Sequence, residues 1–339
     1  MRVVDMTVID RTRASLKALG TDRGPIIVGP WLSEIGFEVL YWIPFLRWAC
    51  AYAGLAPEDL WIVSRGGARS WYQDIGAHYV DVLDFYTPDE FRAGDARRIA
   101  EQAKQASGLG LKPHHRSTKQ HTRSFFDEEI LARVCASAGL VSPRVLHPSL
   151  MYAFFRPFWR RKAGYLYNRS TMLKRLQPSA DGVPGLPSSY VAMKFYVSAA
   201  LPDIPKYRKI VQEIVETQAK ASDVVLLHSG TRYDDHGEFQ IDTHPRVHRI
   251  ALPPSQNLDL QTSVIARASS FVGTYGGFAY VAPFLGVPTL ALYGQANFRR
   301  DHRDLMSQIA KFDLKVPFAV EQLQHGRSLV AKRAVRRAA

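Results

Sequence analysis

The sequence predicts an α/β chain built as two doubly wound halves. Three observations carry that expectation. From residue 25 onward, short apolar runs of strand length alternate with longer amphipathic stretches, the pattern of parallel strands joined by helices. The alternation halts at 177–188 (QPSADGVPGLPS), a segment rich in Pro, Gly and Ser, and then restarts. The chain's 339 residues also make two domains at roughly 150 residues each.

In the first half, PIIVGP (25–30) reads as a buried strand, and 34–53 follows with helical periodicity. LWIVSRGG (60–67) is a second strand running into a glycine loop, and VDVLDFY (80–86) is a third. TPDEFR opens a helix, with Thr87 as its cap and Glu90 three residues later. Residues 107–124 are polar, basic and irregular and read as a loop; 125–140 resumes a helix that stops at Gly139. Segment 151–176 mixes aromatic and basic residues. It fits an anionic membrane interface, a stacking surface for single-stranded nucleic acid, or a core helix with a basic outer face.

In the second half, YVAMKFY (190–196) is a strand, and 204–222 is an amphipathic helix with Pro205 in its first turn. DVVLLHSG (223–230) and HRIALP (248–253) are further strands, and 258–269 is a helix. Residues 271–298 carry no charge over a length that would span a bilayer. Gly276–Gly277 and Gly286-Val287-Pro288 cut this stretch into strand, helix and strand, so it reads as buried core. The expected domains are 1–180, 181–315, and 316–339 as a basic tail or crossover helix.

Composition narrows the function. At 46% hydrophobic and 22% charged, wholesale disorder is excluded. Two cysteines, Cys50 and Cys135, are too few for a disulfide framework and fit a reducing cytoplasm as small buried residues. The start lacks the apolar core of a signal peptide. A net charge of +13 favours an anionic partner: nucleic acid, an anionic membrane or a phosphorylated ligand.

Two Rossmann-like halves facing a central cleft would bind ligands beyond the carboxyl ends of their strands. The residues there are the candidates. After the first strand, Glu34 and Glu38 are four apart and share a helix face; they are a general base toward a hydroxyl, or a capping acid and a solvated Glu. Lys194 ends one strand of the second half, as an edge residue or a phosphate ligand. The next strand end carries His228, Ser229, Gly230 and Arg232, small groups beside a bidentate cation. In GTYGG, a strand ends at Thr274–Tyr275 and Gly276–Gly277 open a helix, which is a place for a diphosphate or a tight turn serving packing alone. His114, His115 and His121, and the cluster from Asp234 to His248, read as polar loops rather than metal sites.

The segment 257–294 resembles the donor-binding half of heptosyltransferase-like glycosyltransferases of GT-B fold. The helix NLDLQTSVIARAS, the turn GTYGG and the close LGVPTLALYG carry that resemblance. A weaker likeness runs through Gly36, Glu38-Val39, Pro44 and Leu46-Arg47, with Phe37 inserted; Glu38 falls where the family has its proposed catalytic Asp. The family's Asp-Thr-Gly is Gly273-Thr274-Tyr275-Gly276 here, and Tyr280 stands near the place of its usual His, so that donor contact does not transfer.

The resemblance implies a cytoplasmic glycosyltransferase, peripheral on the inner face of the plasma membrane. It would move a hexosyl or related sugar from a nucleotide-diphosphate donor to a hydroxyl of a glycan or lipid-linked acceptor in surface polysaccharide synthesis. No cofactor or metal is expected. Glu38, with Glu34 as second choice, would be the base. Lys194, Ser229, Gly230, Arg232, Thr274, Tyr275, Gly276 and Gly277 would hold the donor, and an anionic membrane is a further expected contact. The rival readings are a nucleotide-sugar epimerase of GT-B shape and a nucleic-acid-binding protein. The latter is disfavoured because the positive charge is dispersed and no recognition motif accompanies it.

Overall fold

The computed structural model describes residues 3–108, 119–179, 183–228, 230 and 236–323. It divides into two compact units, Met1–Leu173 and Lys174–Ala339.

The amino-terminal unit runs α1 (Val3–Leu19), β1 (Ile26–Val28), α2 (Ile35–Phe37), α3 (Ile43–Ala53), β2 (Leu60–Ser64), α4 (Arg69–Tyr72), β3 (His78–Asp81), α5 (Pro88–Gly108), α6 (Phe125–Ala138), β4 (Arg144–Leu146), α7 (Pro148–Phe154), α8 (Arg156–Trp159) and α9 (Tyr165–Arg169). A π-helical stretch, Glu38–Trp42, joins α2 to α3. The sheet order is β3-β2-β1-β4 and every pairing is parallel.

Local chemistry sets the helix ends. Thr87 and Glu90 form the expected reciprocal cap: the Thr87 N–H donates to Glu90 Oε2 at 2.8 Å, and the Glu90 N–H to Thr87 Oγ1 at 3.3 Å. Ser124 and Asp127 repeat the device on α6, which ends at Gly139 in the left-handed region, φ 63°.

The aromatic–basic segment divides by side chain. Tyr152, Phe154, Phe155 and Tyr167 are buried, and Phe154 packs 5.7 Å from Phe45, itself stacked near Trp42. Arg156, Arg160, Arg161 and Lys162 are exposed. These four aromatic residues thus fill the core and the cations form its outer face. Cys50 and Cys135 are free and half-buried rather than fully enclosed.

The carboxy-terminal unit runs β5 (Tyr190–Lys194), α10 (Pro205–Ala221), β6 (Asp223–Leu226), β7 (Val247–Arg249), α11 (Asn257–Arg267), β8 (Ser270–Thr274), α12 (Gly277–Phe284), β9 (Thr289–Tyr293), α13 (Arg300–Gln308) and β10 (Phe318–Gln322). Its order is β10-β9-β8-β5-β6-β7, again all parallel. The uncharged stretch 271–298 is therefore strand, helix and strand, and among the described residues no helix is long and apolar enough to cross a membrane. β10 lies inside the segment set aside above as a tail or crossover helix. Val191, Met193, Val215, Leu226, Val272 and Leu292 lie in the core of this unit.

The order of strands locates the functional edges. The chain builds β1, β2 and β3 outward in one direction, and β4 then lands on the other side of β1. In the second unit β5, β6 and β7 run one way and β8 lands on the other side of β5. Where the winding reverses, the loops leaving adjacent strands part and open a crevice at the carboxyl ends. Strand approach at the second reversal is close: a Cβ at Gly273 would collide with the carbonyl oxygen of Lys194. Gly273→Ala is expected to cost about 2 kcal/mol, read as a lower midpoint in chemical denaturation; an unchanged midpoint would mean that β5 and β8 are not held this tightly.

Candidate functional site

At the β5/β8 reversal, Lys194 pairs in register with Gly273. Lys194 is 7% exposed and its ammonium is engaged: it donates to the Leu227 carbonyl at 2.6 Å and to Glu238 Oε1 at 3.2 Å, and lies 4.8 Å from the centre of the Phe278 ring. The other oxygen of Glu238 accepts the Gly230 N–H at 3.0 Å. Lys194 therefore arrives with its charge already compensated. His228, at the end of β6, stays neutral because burial pushes its imidazole down to about 4.

Thr274 ties the two strand ends together. Its hydroxyl oxygen accepts the Tyr196 N–H at 2.9 Å and donates to the Tyr196 carbonyl at 3.0 Å. Tyr275 is buried; its hydroxyl accepts a hydrogen bond from Tyr280 at 2.7 Å, and its ring lies 4.4 Å from Phe298. Gly276 precedes α12 with φ 143°, a conformation open to glycine, and no side chain caps the helix start. Gly276 and Gly277 are partly exposed. The first-turn N–H groups of α12 thus end on an accessible glycine pair, with the positive end of the helix dipole behind them.

Of the donor residues expected from sequence, the structure gathers Lys194, Gly230, Thr274, Tyr275, Gly276 and Gly277 at one sheet edge. Ser229 and Arg232 lie outside the described residues, as do His114, His115, Asp234 and Asp235. Among the described residues no three His, Cys, Asp or Glu side chains group so as to hold a metal ion.

At the β1/β4 reversal the two candidate carboxylates part company. Glu34 is exposed and occupies the cap position of α2 with extended backbone, φ −64° and ψ 142°. Glu38 is fully buried. One of its oxygens accepts from Tyr72 at 2.5 Å and from Ser64 at 2.8 Å; the other has no hydrogen-bond partner among the described residues. Burial, opposed by the nearby Arg65 and by these two hydrogen bonds, pushes the Glu38 carboxyl up to about 7. The structure thus separates the two candidates for the base: Glu34 lies at the surface, and Glu38, the first choice from sequence, lies in the interior.

Around Glu38 the loops are pinned by residues that sequence reading did not single out. Asp81 accepts the Gly66, Gly67 and Leu83 N–H groups and the Tyr79 hydroxyl, fixing the glycine loop after β2. Arg65 donates to the Ser33 carbonyl at 2.6 Å. Gln120, fully buried, accepts the Leu32 N–H at 2.9 Å and donates to the Pro30 carbonyl at 2.8 Å and to Asp127 at 2.9 Å. The loop that presents Glu34 is therefore held from two sides. Gln120 gave no signal beyond a polar, irregular stretch; Asp81 fell inside the strand expected at 80–86, whereas the strand ends at Asp81 and a turn follows.

No known family model matches the chain, and no curated protein is similar to it. Among solved structures it is similar to the iron-containing dodecameric glycosyltransferase TibC from enterotoxigenic E. coli, at 11% identity and TM-score 0.41, over 80% of this chain and 59% of that one. It is also similar to a family 9 glycosyl transferase from Veillonella parvula, at 11% identity and TM-score 0.45, over 93% and 96% of the two chains. A third is the E. coli heptosyltransferase WaaC with ADP-2-deoxy-2-fluoro heptose, at 12% identity and TM-score 0.44, over 92% and 98%.

The buried carboxyl has a measurable signature. With its pKa raised from 4.5 to about 7, folded Glu38 holds a proton that the unfolded chain releases across that window. Stability contributed below pH 4.5 is lost as pH rises to about 7, a loss of about 3 kcal/mol. Glu38→Gln is expected to lack that loss, seen as a flatter dependence of unfolding free energy on pH in urea titrations. Equal slopes for the two proteins would show that Glu38 is not buried as described.

Proposed function

We propose that the protein is a glycosyltransferase that takes a sugar from a nucleoside-diphosphate donor. The observation that carries this reading is the uncapped glycine start of α12 at the β5/β8 reversal, where backbone N–H groups and a helix dipole converge on a partly exposed edge. The resemblance of 257–294 to the donor half of heptosyltransferase-like enzymes supports the same assignment.

The chemistry follows from the charges. An acceptor hydroxyl attacks the anomeric carbon, the bond from that carbon to the diphosphate oxygen breaks, and its electron pair leaves with the diphosphate. Charge thus grows on the leaving group, and fixed dipoles aimed there lower the barrier. Because Lys194 is already paired with Glu238, the first turn of α12 supplies most of that potential; in this reading no metal ion is needed. Glu34, exposed and held on a pinned loop, takes the hydroxyl proton, and buried Glu38 anchors the helix behind it. By resemblance, the acceptor is a glycan or lipid-linked glycan of a surface polysaccharide, met on the cytoplasmic side of a membrane. The exposed Arg156, Arg160, Arg161 and Lys162 suit the phosphates of such a surface.

The test separates binding from chemistry. Glu34→Gln is expected to lower transfer from the cognate sugar nucleotide at least about 100-fold while nucleoside-diphosphate affinity stays within about twofold. Full turnover in Glu34→Gln together with loss in Glu38→Gln would return the base to Glu38. Release of an altered sugar nucleotide without acceptor would make the protein an epimerase instead.

A further inference from the structure

We propose that Gln120 is a positioning residue for Glu34: its buried amide fixes the backbone at 30–32 and, two residues on, the place from which the Glu34 carboxylate meets an acceptor hydroxyl. The inference rests on the reading of Glu34 as base. It gives the end of the polar stretch 107–124 a role beyond that of a loop.

The backbone that leads to Glu34 is anchored along its length. The Trp31 N–H donates to the Val63 carbonyl at 2.9 Å, and the Ser33 carbonyl accepts from Arg65 at 2.6 Å. The Glu34 carbonyl accepts the Phe37 and Glu38 N–H groups at 3.1 Å each. Those partners belong to β2, to the loop that follows it and to the helical turn that Glu34 opens. The Pro30 carbonyl and the Leu32 N–H go instead to Gln120, at 2.8 and 2.9 Å, from 90 and 88 residues further along the chain.

A carboxamide suits that place because it combines an acceptor oxygen with a nitrogen that donates twice. The oxygen takes the Leu32 N–H; the nitrogen gives to Pro30 and, at 2.9 Å, to Asp127 Oδ1. Asp127 sets which way the amide faces, since a turned amide would place its oxygen against the carboxylate. Asp127 is itself locked: its other oxygen accepts the Ser124 N–H at 2.8 Å and the Ser124 hydroxyl at 2.6 Å, and His147 Nε2 stands 3.4 Å from Oδ1. Gln120, Asp127 and His147 are all buried, so these bonds are made away from solvent. A base must come within hydrogen-bonding distance of the proton it takes, and an error of about 1 Å can cost about 100-fold in rate. Releasing residues 30–32 therefore acts on transfer through Glu34. The donor-binding residues, in the carboxy-terminal unit, are untouched.

The experiment is a double-mutant cycle on the full chain: wild type, Gln120→Met, Glu34→Gln and the two combined. Each is assayed well below its melting temperature with UDP-glucose, ADP-glucose, GDP-mannose and ADP-heptose as donors and a bacterial membrane extract as acceptor. Gln120→Met is expected to lower kcat at least about tenfold while the donor KM stays within about twofold. Added to Glu34→Gln it is expected to cost less than about threefold more, because the group it positions is already gone. A structural role alone costs the same factor in both backgrounds, and that result overturns the proposal, as does full kcat in Gln120→Met. Gln120→Asn keeps the amide but falls one methylene short, and it carries the same expectations if Gln120→Met does not fold. Full turnover in Glu34→Gln overturns the reading of the base and this inference with it. A wild type that turns over none of these donors overturns the transferase reading as well.

Discussion

In a sheet whose strands all run one way, each connection must cross a face, and the chain has one place in each unit where the direction of crossing changes. Everything of chemical interest in this molecule follows from that constraint. Between β1 and β4, and again between β5 and β8, neighbouring strands send their following loops to opposite faces. The backbone there cannot close over itself, so polar groups at the carboxyl ends remain for a ligand or must be satisfied by side chains from elsewhere.

The two reversals settle that problem differently. At β1/β4 the protein spends side chains: Arg65, Gln120 and Asp81 take up the loop amides and carbonyls, and Glu38 is sealed with Tyr72 and Ser64. The result is a stiff platform from which exposed Glu34 projects. A buried carboxyl is costly to ionise, which is why Glu38 holds its proton so far up the pH scale. At β5/β8 the protein instead uses backbone and small residues. Thr274 clasps the main chain of Tyr196, glycines occupy the helix start, and Glu238 rather than solvent compensates Lys194. An edge made of amides and small residues would recognise an anion by geometry more than by net charge, so the overall charge of +13 says little about this site.

The strand–helix alternation was legible because buried parallel strands read as apolar runs and because caps have local spellings: Thr87 with Glu90, and Gly139 after α6. The glycine pair at 276–277 was legible for the same local reason. The short strand β4, only Arg144–Leu146, lacks the length to make a pattern, and α1 mixes charged and apolar residues without a clear stripe. The site was half readable. Four-residue spacing put Glu34 and Glu38 on one helix face, but Glu34 is a cap with extended backbone, so its side chain leaves the helical path and only Glu38 turns into the core. Partners distant in sequence left no local trace: Gln120 on Leu32, Glu238 on Lys194, Tyr196 over Gly276.

The central claim is that an anion sits on the first turn of α12. Amide hydrogen exchange with saturating nucleoside diphosphate tests it directly, because N–H groups that donate no intrahelical bond exchange fast until a ligand covers them. The account expects slowed exchange centred on residues 276–279, with a lesser effect at 194–198. Unchanged exchange across 276–279, or slowing that falls on the loop at 30–34 instead, would contradict it.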